Sequence, residues 1–202
     1  MAYTNCYCDC DDCICSSYKS KKKMKYITLS EVEDKCECEE GASGSLFNPA
    51  PPSATTPIVA GTFPTNFPVQ KVDFTTCGKY CATVPNPFNN SIKILQSGLY
   101  TISYAVTVAQ VFSVETDTSH IIVGLYVNDV FDYSSGVTYR AKGTAEEVII
   151  PSSLNVTYQR PLQAGDIVQV GFYEAVFSAP TASAQYGNAS LIVKQDFNAD
   201  FE

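Results

Sequence analysis

Leu99-Tyr-Thr-Ile-Ser-Tyr-Ala-Val-Thr-Val108 is the stretch that decides the fold. It opens after Gly98 and consists largely of β-branched and aromatic residues, which suit a pleated, half-buried surface. Similar segments flank it at short intervals. Upstream lie Ile58 to Phe63, Val69 to Thr75 and Ile92 to Leu95. Downstream lie Ile121 to Val127, Val130 to Tyr139, Glu147 to Ile150, Leu154 to Arg160, Ile167 to Phe177 and Ser190 to Lys194. Asn128-Asp129 reads as a hairpin turn and Gln163-Ala-Gly-Asp166 as a second turn. No segment carries a helical stripe of ten or more residues. Short strands separated by Gly, Pro and Asn turns predict an all-β chain, a β-sandwich or jelly roll.

Ahead of this body the composition changes. Residues 1–45 hold seven of the nine cysteines and have few branched apolar residues. Ser30-Glu-Val-Glu33 fits a capping box with room for only about one helical turn after it. Gly41-Ala-Ser-Gly-Ser45 reads as a flexible joint, and the proline-rich run 48–57 favours extended backbone. The expected division is therefore a Cys-rich connector tail over 1–45, a spacer over 46–57 and the sandwich over 58–202.

Charge and hydropathy exclude several function classes. The net charge is −8, with −3 in residues 1–45 and −5 in the remainder, so neither part has the footprint of a nucleic-acid binder. The lysines between Lys19 and Lys25 are flanked by acids and read as a solvated charge run. The longest apolar runs are too short to span a bilayer. No apolar h-region follows Met1, so no secretory signal peptide is expected. The single histidine, His120, sits in a polar stretch and reads as a surface residue. No nucleophile–base pair, phosphate loop or nucleotide fingerprint accompanies it, so neither an enzyme nor a cofactor is expected. Asp129 and Asp132 bracket a hairpin and read as turn residues, with a cation site as the alternative.

The cysteines divide by spacing. Cys6, Cys8 and Cys10 alternate, as do Cys13 with Cys15 and Cys36 with Cys38. On an extended chain, alternation puts each set on one face, where C-x-C neighbours meet partners elsewhere more readily than each other. Cys10 and Cys13 alone have a spacing that suits a zinc knuckle, which is the rival reading. Cys77 and Cys81 would stand about 13 Å apart on a straight strand, too far to bond. They close a small loop only if Gly78 turns the chain; otherwise they are docking partners for a tail.

Four stretches, in order over residues 57–196, resemble the C1q/TNF-like jelly rolls, and particularly the C-terminal domain of BclA-type spore-surface glycoproteins. They are Ser97 to Tyr104, Leu125-Tyr-Val-Asn-Asp129, Leu162-Gln-Ala-Gly-Asp166 and Ala189-Ser-Leu-Ile-Val193. The resemblance implies a homotrimer, with Tyr126, Tyr158, Phe172 and Leu191 as candidates for either the three-fold interface or the sandwich core. The family's collagen stalk is absent, and cysteines and prolines stand in its place.

Thiols this dense without an export signal pose a conflict of compartment. Assembly inside a sporulating mother cell that later lyses resolves it, as does assembly inside a phage- or virus-producing cell. The expected function is a structural subunit: a trimer whose tail docks into and disulfide-links to its neighbour, building a fibre or appendage on a spore surface or exosporium. Its partner is itself, with other spore-surface or anchor proteins as further partners. The alternatives are a tip adhesin anchored by its tail and an intracellular zinc-binding trimer.

Overall fold

The computed structural model describes residues 41–50, 56–60, 70–112, 114–143, 148–178 and 182–197. The tail cysteines Cys6 to Cys38 and the Ser30–Glu33 capping box lie outside the described residues.

Eight strands carry the architecture: β1 (Ser43–Asn48), β6 (Ser91–Ile94), β7 (Gly98–Phe112), β8 (Thr118–Val127), β10 (Val137–Lys142), β11 (Val148–Leu162), β12 (Ile167–Phe177) and β13 (Ser183–Phe197). Five short ones accompany them: β2 (Thr56–Pro57), β3 (Gln70–Lys71), β4 (Thr76–Cys77), β5 (Thr83–Asn86) and β9 (Val130–Phe131). They pair in a nested order. β1 lies against β13, β6 against β12, β7 against β11 and β8 against β10, all antiparallel. This is one long double strand rolled up, the jelly-roll topology. Rolling splits it into two sheets, ordered β11-β7-β13-β1-β4 and β10-β8-β12-β6-β5.

Alternation along β7 shows why the roll is stable. Tyr100, Ile102, Tyr104, Val106 and Val108 point into the sandwich and are buried, while Thr101, Ser103, Ala105 and Thr107 point out. Ile121, Val123 and Leu125 of β8 and Val168, Val170 and Phe172 of β12 face them from the other sheet. Each fully buried side chain of this size contributes about 1.5–3 kcal/mol. Burial also pushes the Tyr100 phenol up to about 12.

Four expectations about element bounds change. The sandwich begins at Ser43 rather than Ile58, inside the stretch read as joint and spacer. Ser43-Gly-Ser-Leu-Phe-Asn48 has weak strand propensity, but six ladder positions on β13 and the buried Leu46 override it. Of the strand expected over 58–63, residues 58–60 are not strand and the rest lie outside the described residues, with β2 just before it; the strand expected over 69–75 keeps only β3. The single return strand over 130–139 is broken by a 3₁₀ turn at Tyr133–Ser135, capped by Asp132. The two short strands expected over 147–160 are one strand, β11.

One pair of glycines is specified by what lies over them. Gly124 and Gly171 are opposed in the β8–β12 ladder. A Cβ on Gly124 would stand 2.7 Å from the Phe131 ring, and one on Gly171 would stand 2.8 Å from Tyr126 and 3.0 Å from the Gln70 carbonyl. The bare backbone lets both rings lie on the sheet. Because the Gln70 carbonyl is main chain and cannot swing away, Gly171→Ala is expected to destabilise the domain by about 1–3 kcal/mol. Chemical denaturation would show this as a lower midpoint with an unchanged slope; an unshifted midpoint would contradict the packing argument.

Candidate functional site

β1 and β13 bring the root of the tail beside the end of the sandwich. The Ala42 N–H donates to Gln195 Oε1 at 2.9 Å, and the Gln195 N–H donates to the Ala42 carbonyl at 2.7 Å. The buried Gln195 side chain also donates to the Ser97 carbonyl at 3.1 Å.

Cys77 and Cys81 sit at the same place. Cys77 is opposite Leu46 in the β1–β4 ladder. Cys81 is opposite Ser43, with mutual backbone hydrogen bonds of 2.7 and 2.8 Å. Both cysteines are disulfide-bonded. Their ladder partners are three positions apart on β1, about 10 Å at the usual rise per residue. A disulfide spans Cα atoms no more than about 7 Å apart, so the register argues against a bond between the two. At Ala82 the backbone passes through the left-handed region (φ 45°), turning the chain from β4 in one sheet to β5 in the other.

The four candidates for interface or core are placed as follows. Phe172 and Leu191 have no exposed surface and belong to the sandwich core. Tyr126 is also buried, but on the opposite face of its sheet, under Phe131 (ring centroids 5.2 Å apart). Phe131 stacks on Tyr173 at 4.3 Å, and the hydroxyls of Tyr173 and Tyr133 lie 2.9 Å apart. This outward aromatic cluster, edged by exposed Tyr133 and Val130, was not legible as a group because β8, β9 and β12 all supply it.

Tyr158 is half-buried and tied inward. Its hydroxyl donates to Asp132 Oδ2 at 2.6 Å, and Arg160 Nη1 donates to the same oxygen. The Ser134 N–H donates to Asp132 Oδ1 at 3.0 Å. Ser135 extends the network: its carbonyl accepts from Tyr104 at 2.5 Å, and its hydroxyl accepts from the Leu125 N–H at 2.7 Å. Side chains of β7 and β11 are thereby fastened to the turn after β9, across the two sheets. Burial pushes the Asp132 carboxyl up, but hydrogen bonds from Tyr158 and Ser134 and the Arg160 charge outweigh it and hold the group below its usual range. Burial, then Asp132, raise the Tyr158 phenol.

Asp129 lies in the β8–β9 turn (φ 63°) and pairs with Lys71 at 3.1 Å. Among the described residues no three His, Cys, Asp or Glu side chains come together as metal ligands, and no helix is long and apolar enough to cross a membrane. His120 departs from the expected surface residue: it is half-buried, with Nδ1 2.9 Å from Glu174 Oε1. The candidate zinc pair, Cys10 and Cys13, lies outside the described residues.

No protein-family model matches the chain, and no curated protein matches it. Among solved structures it is similar to the Eiger TNF of S. frugiperda, at 11% identity and a TM-score of 0.47, covering 78% of this chain and 94% of that one. It is also similar to the globular domain of zebrafish complement 1qA, at 12% identity and a TM-score of 0.46, covering 79% of this chain and 100% of that one.

Proposed function

We propose that the chain is a structural, self-assembling subunit: a homotrimeric jelly roll whose N-terminal tail docks into and disulfide-links to a neighbouring copy. The observation that carries this reading is cysteine placement together with cysteine number. Cys77 and Cys81 are each disulfide-bonded, and their register argues against a bond between the two. Their candidate partners are the seven tail cysteines. The total of nine is odd, so full oxidation within one chain is impossible, and one sulfur is left either as a thiol or for a second chain. Contacts that pass from each copy to the next without closing generate filaments. A bacterial spore surface is the setting this reading assigns, on the strength of the four BclA-like motifs and of assembly within a cell that later lyses.

Negative-stain electron microscopy of the full chain, with and without reductant, tests the proposal. Filaments that form under oxidising conditions and shorten or fail to form under reductant are the expected result. Discrete particles under both conditions would overturn it.

A further inference from the structure

The end of the sandwich away from the tail root holds an open surface cavity of about 440 Å³. Two rows of side chains on β10, β8 and β12 form its wall. Ladder register sets Arg140 opposite His120 and His120 opposite Val176. The next row sets Lys142 opposite Thr118, which exchanges hydrogen bonds with Ser178. Ser119, buried to 4% exposure, completes the lining.

Two features mark this cavity as a site. Arg140 and Lys142 are exposed and form no ion pair among the described residues. One buried polar atom without a hydrogen-bond partner, His120 Nε2, belongs to a residue of the same lining. A ligand that reaches such an atom recovers the cost of leaving it unsatisfied.

We infer that the cavity binds a small carboxylate-bearing ligand of the sugar-acid class. Its volume lies in the range of small-molecule sites. The guanidinium of Arg140 offers a two-pronged donor for a carboxylate, and Lys142 adds a second positive charge. The hydroxyls of Thr118 and Ser178 suit a polyol, and Val176 offers an apolar surface for a ring face. His120 stands beside Arg140 in the same row, its Nδ1 2.9 Å from Glu174 Oε1. The charged groups facing the imidazole are Glu174 on β12 and Arg140 on β10; Lys142 stands one row away, and Glu115 and Asp117 lie in the loop leading into β8. This inference does not depend on self-assembly.

Calorimetric titration of the full chain with D-glucuronate and D-glucose tests it. Glucuronate is expected to bind about tenfold or more tighter than glucose, and the Arg140→Ala/Lys142→Ala double variant about tenfold or more weaker than the parent. Equal binding of the two sugars would overturn the proposal. So would unchanged glucuronate affinity in the double variant, whose fold circular dichroism would verify.

Discussion

Replacing Asp132 by alanine is expected to lower the stability of the sandwich by about 2–4 kcal/mol, a drop of about 10 °C in melting temperature. The carboxylate does three things at once. Its Oδ1 caps the turn at Ser134, worth about 1 kcal/mol, while its Oδ2 takes the Tyr158 hydroxyl and the Arg160 guanidinium. Removing it leaves a half-buried phenol and a cation without their acceptor, and the penalty for stranding such groups exceeds the value of the bond itself. Arg160 keeps 34% of its side chain in water, which places the cost below that of a fully buried pair. Asp132→Asn keeps one acceptor oxygen for the cap at Ser134 and puts an NH2 donor where Oδ2 took Tyr158 and Arg160, so it should recover only the cap's share of the loss. The pH dependence has a definite sign. The folded carboxyl is held below its ordinary value, so its contribution is complete above about pH 4 and is lost as the pH falls through the folded value. The gap between parent and Asp132→Ala should therefore narrow in acid. A gap that stays constant from pH 7 to pH 3, or an alanine variant as stable as the parent, would show that the network carries no net stability.

What could be read from the chain follows from how local each signal is. β7 and the Gln163–Asp166 turn are stated by adjacent residues and hold close to their expected places. β1 is not stated locally: Gly44 and the serines around it form a strand because β13 presents a ladder and Leu46 has a core to enter. The turn at Tyr133–Ser135 was hidden by strand-forming neighbours, Phe131, Tyr133 and Tyr139, while the residue that breaks the strand, Asp132, draws its partners from β11. Period-two alternation tells which residues share a face but not which face is inside; hence Phe172 is core while Tyr126 lies buried on the outer side. His120 shows the same limit. Its partner Glu174 is 54 positions away, and only the β8–β12 register brings the two together.

Changing Cys6, Cys8, Cys10, Cys13 and Cys15 to serine is expected to abolish long assemblies while leaving the sandwich as stable as the parent. The reasoning is one of reach. Cys38 precedes Ser43 by five residues, and Ser43 faces Cys81, so Cys36 and Cys38 have enough chain to bond within the same subunit. Cys15, the nearest of the other five, precedes Ser43 by 28 residues, a contour of about 90 Å when extended. The longest strands have 15 residues and span about 50 Å, so these five thiols can pass beyond their own sandwich into another copy. On the proposed reading several bonds across one junction would all have to be open together for it to part, which would make such an assembly durable kinetically rather than through tight equilibrium binding. The serine variant removes that lock without touching the described ladders or the core, so its thermal unfolding should match that of the parent. The complementary Cys77→Ser/Cys81→Ser variant separates two arrangements. If the body cysteines receive a neighbour's tail, it too loses assemblies. If they pin the root of their own tail, it still forms filaments that dissolve in reductant. Filaments of normal length and reductant sensitivity from the five-serine chain would remove the tail cysteines from the mechanism of assembly.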